Sequence, residues 1–189
     1  MSKIKPKITK WEYVTNPFDV YAFATAIRRA HAPLDPSLSI SSGGQAFLHL
    51  RPCVQCVDQD GAVIKYLYCT RDGRFFVRGK DGWGELKPGY TPNRPSAKDG
   101  RCHSTYPHMR DFGAKLCHTC IAYAWIGPRP KGKVCDHLDT NILNIKADNL
   151  QWVTAEENQR RAKIIRALRK QGFDPTSCST AALRTILNV

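Results

Sequence analysis

The chain has no run of apolar residues close to the roughly 18 to 20 that a spanning helix requires, so no helical membrane segment is expected. Its first residues, MSKIKPKITKWEYV, are basic and lack the apolar core of a secretory signal, which points to the cytoplasm as the place of work. Acidic residues are scarce: 16 Asp and Glu stand against 29 Lys and Arg, for a formal net charge of +13 and a pI near 9.6. That imbalance favours a polyanionic partner, nucleic acid before an anionic membrane surface, and is silent about chemistry. No internal repeat is visible. Cysteine, by contrast, is plentiful. Eight are present (Cys53, Cys56, Cys69, Cys102, Cys117, Cys120, Cys135 and Cys178), and in a reducing compartment they serve as thiols or metal ligands more often than as disulfides. With 42% hydrophobic and 10% aromatic residues, the 189-residue chain is expected to form one ordinary domain with small appendages and a real core.

Residues 1–15 read as a basic lead-in without periodicity. NPFDVYAFATAIRRAHA offers Asn16 as N-cap, Pro17 at the first helical position, and Val20, Phe23, Ala24 and Ile27 on one face, which predicts a helix. PLDPSLSISSGG (33–44) is a linker by its Pro, Ser and Gly content. From 46 to 90, AFLHL, AVIKYLYC and RFFVRG predict short strands, separated by turn signals such as Asp60-Gly61 and Asp72-Gly73. KPGYTPNRPSAKDG (87–100) is a polar, basic loop. KLCHTCIAYAWIG (115–127) predicts a short buried helix stopped by Gly127 and Pro128. A strand, a loop and a second strand with Trp152 and Val153 follow. A helix then starts at Ala155, behind a capping box of Thr154 and Glu157, and runs to about Lys170. Ala162, Ile165 and Leu168 form its apolar side, while Arg160, Lys163, Arg166 and Lys170 line much of the other. A short helix over 179–187 closes the chain. The expected division is a basic N-terminal extension with one helix (1–45), a strand-rich segment with the chemical core (46–170) and a short helical tail (171–189).

The stretch VCDHLDTNILNIKADNLQWVTAEENQRRA (134–162) concentrates groups able to do chemistry. Asp136 is a hard anionic ligand for Mg²⁺ or a similar ion. His137, with an ordinary pKa near ~6.5, can take a proton from water at neutral pH. Neighbours on a strand point to opposite sides, so both serve one centre only where the strand bends or ends; the loop from Leu138 allows that. Asn158 falls on the inward stripe with Ala162 and Ile165, where an amide needs a partner, and a metal held jointly with Asp136 would supply one. Asn149, in the turn ADNL, is placed to hydrogen-bond the backbone beside His137 and fix the ring. Asp139, Asn141 and Asn144 are assigned to loop shape, and Trp125 and Trp152 to the core.

DHLDTNILNIKADNLQWVTAEEN, read without insertion or deletion, resembles the HNH endonucleases (the ββα-metal, or His-Me finger, nucleases). Within them it resembles the branch with phage and intron-encoded homing endonucleases, whose pattern reads N/D-H-I-D-G-N-x-x-N-N-x-x-x-N-L-x-W-V-T-x-x-E-N. Upstream, YLYCTRDGRFFV, ELKPG and CHTCIAYAWIG resemble the strands and the H-x-x-x-A-x-A-[FW] helix that precede this motif, so the resemblance covers residues 63 to 162. It implies an α+β fold with a ββα-metal core preceded by short antiparallel strands, and helical extensions at both ends. It implies that Asp136 and Asn158 hold one divalent metal, Mg²⁺ or Mn²⁺, that His137 is the general base, and that Asn149 orients it. The reaction implied is hydrolysis of a DNA phosphodiester by water. A homing-type or phage nicking enzyme in a bacterial host cell is the setting, with restriction or packaging nucleases as the alternative within the class. Thr140 stands where the pattern has Gly and Ile145 where it has Asn, departures that bear on loop shape and not on the chemical positions.

Given the charge, Arg160, Arg161 and Lys163 are expected to contact phosphate, DNA is the expected partner, and a monomer the expected state. The cysteines support a rival reading. CVQC (53–56) and CHTC (117–120) are each half of a possible structural zinc site, but their separation far exceeds the roughly 15 to 20 residues of a zinc ribbon. A set of Cys117, Cys120, Cys135 and His137 would consume the base. Structural Zn²⁺ is therefore the less favoured expectation, and a non-catalytic, zinc-stapled DNA-binding protein is its functional counterpart. His118 matches a recurrent His of the resembling proteins, with packing and phosphate contact both open as its role.

Overall fold

The computed structural model describes residues 10–15, 50–79, 82–90 and 106–188. Five strands, β1 (Lys10–Tyr13), β2 (Arg51–Val57), β3 (Val63–Cys69), β4 (Phe75–Gly79) and β5 (Gly82–Leu86), form an antiparallel sheet in chain order. Two short strands, β6 (His108–Met109) and β7 (Lys115–Leu116), lead into helix α1 (Cys117–Trp125). The hairpin of β8 (Lys133–His137) and β9 (Leu150–Thr154) follows, then α2 (Ala155–Lys170) and α3 (Thr180–Leu187). The class is α+β, as the sequence predicts.

Several expectations shift. Of AFLHL, only Leu50 lies among the described residues, and the strand found next to it is β2, across RPCVQCV. Irregularities between Pro52 and Val54 and between Cys56 and Val57 break the period of two, so alternation could not reveal it. Residues 10–13 form an edge strand rather than a featureless lead-in, because pairing from Lys10↔Val57 to Tyr13↔Val54 supplies what four residues of pattern cannot. Gly82 and Gly84 hide β5, which is held by its register with β4. The helix expected after Asn16 and the linker 33–44 lie outside the described residues.

Helix α1 occupies the centre. It is apolar nearly all round, and Cys117, His118, Cys120, Ile121, Ala122 and Ala124 are buried. They pack with Cys53, Val54, Leu67, Cys69 and Phe75 from the sheet and with Leu150 from the hairpin. Gly127 ends the helix as predicted, with φ +120° and its N–H on the Ala122 carbonyl at 3.0 Å. Cys53, Cys69, Cys117 and Cys120 belong to this core and Cys56 does not; among the described residues no group of three or more His, Cys, Asp or Glu is placed to hold a metal.

The sheet also grips the hairpin through the turn between β3 and β4. The β3–β4 turn meets the β8–β9 loop, where the Ala147 N–H bonds the Arg71 carbonyl at 2.9 Å and Arg71 pairs with Asp148. Ile145 packs onto Gly73, at φ +101°, so closely that a Cβ there would lie 2.9 Å from Ile145 Cγ1. A second apolar cluster, Leu138, Ile165, Leu183 and Leu187, seats α3 against α2 and the start of the loop.

Candidate active site

The hairpin register sets Asp136 opposite Gln151 and His137 opposite Leu150. β8 ends at His137, the condition under which two strand neighbours can serve one centre, and the two side chains leave it towards different helices. Asp136 turns to α2. Its Oδ2 accepts from Gln151 Nε2 at 3.1 Å and from Arg161 Nη1 at 3.4 Å. Its side chain is 12% exposed, and burial raises its pKa to about 6 despite the Arg161 charge and the His137 backbone N–H.

His137 turns to α1. It is 5% exposed, and burial lowers its pKa to about 4, with Asp139 working weakly the other way. Its Nε2 is buried without a hydrogen-bond partner among the described residues. His118 lies edge-on to it with ring centroids 5.0 Å apart, and Tyr106 stacks at 6.1 Å. Burial and the neighbouring His137 lower the pKa of His118 to about 4 as well. Both rings are neutral at pH 7.

The sequence places Asn149 to hydrogen-bond the backbone beside His137, and its side chain bonds the loop that follows that residue: Oδ1 accepts the Asp139 N–H at 3.1 Å, and Nδ2 donates to Asp139 Oδ1 at 2.9 Å and to the Asn144 carbonyl at 2.8 Å. The Asn149 carbonyl takes the Leu138 N–H at 2.9 Å. Asp139 also accepts from the Asn141 N–H at 2.8 Å and from Asn144 Nδ2 at 2.6 Å, so these residues shape the loop as assigned. Thr140 adopts φ +60°, the left-handed region that the Gly of the resembling pattern favours, and its hydroxyl accepts from Arg169 Nη2 at 2.7 Å. The substitution leaves the turn in place.

On α2, Thr154 Oγ1 accepts the Glu157 N–H at 3.1 Å, so the N-cap forms. The Glu157 carboxylate turns to Arg160 and Arg161, both at 2.7 Å, and their hydrogen bonds hold its pKa down at about 2. Asn158, one position on, is half-buried, and its amide makes no hydrogen bond among the described residues. Of the three residues expected on phosphate, Lys163 is exposed and Arg160 is exposed while bonding Glu157 and the Leu187 carbonyl. Arg161 does not share that outer face. Its side chain is 7% exposed and lies between Glu157 and Asp136.

Two neighbours of the site escape sequence reasoning. Gln151 has a signal, since aligning the hairpin places it across from Asp136. Tyr106 has none, because it comes from a separate part of the chain.

Two antiparallel strands, the first ending in Asp-His, followed directly by a capped helix, make up a ββα arrangement like that of the ββα-metal core. In comparison with family models, residues 115–160 match the model described as HNH endonuclease, about a quarter of the 189-residue chain. No curated protein and no solved structure matches the chain. The matched segment is of the HNH endonuclease type, a class that cuts DNA and generally uses a divalent metal. Among the described residues no helix is long and apolar enough to cross a membrane.

Proposed function

We propose that this protein is a metal-dependent DNA endonuclease of the phage or homing type that hydrolyses phosphodiester bonds with His137 as general base. The observation that carries this reading is His137 itself, a buried, neutral imidazole at the end of β8 whose Nε2 accepts or donates no hydrogen bond among the described residues. A neutral imidazole at pH 7 can accept a proton.

Asp136 and Asn158 would hold the metal. A carboxylate and an amide are hard oxygen donors suited to Mg²⁺ or Mn²⁺, and the Asn158 amide is uncommitted among the described residues. Such an ion stabilises negative charge on a phosphoryl group and on a departing 3′ oxygen. The remaining work falls to the chain. His137 takes the proton of the attacking water, and Asn149 with Asp139 holds the loop that follows it. Gln151 and Arg161 steady the Asp136 carboxylate, while Arg160 and Lys163 meet the DNA backbone. The reading implies a monomer acting in a bacterial cytoplasm, encoded by a phage or mobile element.

The test is cleavage of supercoiled plasmid with Mg²⁺ or Mn²⁺, with and without EDTA, beside His137→Ala. Wild-type protein should cut only with metal, and the variant should be slower by about 10²- to 10⁴-fold. Equal cleavage by the variant removes His137 as base. Metal analysis of the same preparation addresses the cysteines, since about one zinc per chain would restore the zinc-stapled reading.

A further inference from the structure

The nuclease reading requires that something orient its base, and the family resemblance nominates Asn149. That side chain is spent on Asp139 and Asn144 and makes no hydrogen bond to the His137 ring. Among the described residues the ring meets two other rings. His118 lies edge-on at 5.0 Å with planes at 65°, and Tyr106 lies nearly parallel at 6.1 Å and 25°. Tyr106 and His118 also touch, at 5.0 Å, so the three rings meet pairwise.

Of the two neighbours, His118 is the fixed one. It is 5% exposed in the first turn of α1, between Cys117 and Cys120 of the core, whereas Tyr106 is 36% exposed. Strand β8 is tied to the same helical turn, because the Cys135 thiol points at the His118 carbonyl at 3.9 Å. Edge-to-face rings favour one relative orientation, so a ring anchored in the core passes its own orientation to the ring beside it.

We propose that His118 is a positioning residue that holds the His137 imidazole, by ring-to-ring packing, in the orientation from which it takes its proton; this rests on the nuclease reading above.

The experiment compares wild-type, His118→Ala, His118→Phe and His137→Ala proteins by plasmid cleavage rates over a range of DNA concentrations with Mg²⁺. His118→Ala should lower kcat by about 10- to 100-fold, the scale of a misplaced catalytic group, at unchanged KM. His118→Phe, which keeps a flat ring, should stay within roughly threefold of wild type. A Phe variant as slow as the Ala variant overturns the proposal, because a nitrogen of His118 is then needed. An Ala variant with unchanged kcat overturns it too. Should His118→Ala fail to fold by circular dichroism, His118→Leu fills the space without a ring and is expected to show the same loss.

An independent readout uses the metal-free protein. Proton NMR contacts between the Tyr106 and His137 rings should persist in wild type and His118→Phe and weaken in His118→Ala; their persistence in the Ala variant would overturn the proposal. If wild type cuts no DNA, the nuclease reading falls, and the NMR contacts still decide whether His118 orients the ring.

Discussion

At the scale of single residues, the candidate site is a set of groups whose pKa values burial has moved. His118 and His137 sit near pKa 4 and Asp136 near 6. These shifts have opposite signs in stability. As pH falls from 6.5 to about 4, the unfolded chain protonates both histidines while the folded chain does not, so folding loses stability. Between about 6 and 3.8 the folded chain protonates Asp136 before the unfolded one does, which returns part of it. Two histidines outweigh one aspartate, and metal-free protein should be less stable at pH 4.5 than at pH 7 by on the order of a few kcal/mol. Urea denaturation at the two pH values measures this. Equal or greater stability at pH 4.5 would mean that the histidines are not buried as neutral rings.

At the scale of elements, the loop between β8 and β9 belongs as much to the sheet as to the hairpin. Ile145, where the resembling pattern has Asn, is the reason: it is buried in the main core and pressed onto Gly73. Restoring the polar residue should therefore harm this chain. Ile145→Asn is expected to destabilise by about 2–4 kcal/mol, against roughly 0.5–1.5 for Ile145→Val, as read from thermal or urea midpoints. A neutral Ile145→Asn would show that the loop does not depend on the sheet. Helix α3 backs the other side, with Leu183 and Leu187 on Leu138, the residue after His137. Elements with strong local signals were legible in sequence: α1 by its apolar run and Gly127, β9 and α2 by Thr154 as cap. β1, β2 and β5 were not, because their length, their irregular pairing and their glycines leave a period of two unreadable until partners are present.

At the scale of the whole molecule, the net charge of +13 is expected to govern how DNA would be met. Several basic groups are consumed internally: Arg71 on Asp148, Arg74 on Glu85, and Arg161 on Glu157 and Asp136. The remainder should still make binding strongly salt-dependent. Affinity for non-cognate duplex, with Ca²⁺ in place of Mg²⁺, should fall by about 10³-fold or more from 50 to 200 mM salt if some six phosphates are neutralised. A flat response in a filter-binding or anisotropy titration would remove charge as the driver. The order of the proposed chemical set was legible from the chain alone, because Asp136, His137, Asn149 and Asn158 lie on one hairpin and the helix that follows, where local geometry follows from spacing. Only the tertiary structure decided what surrounds that set. His118 and Tyr106 reach His137, Arg161 turns inward to Asp136, and Ile145 finds Gly73, and most of these contacts join elements distant along the chain, whose meeting is settled by packing of the shared core and not by any local pattern.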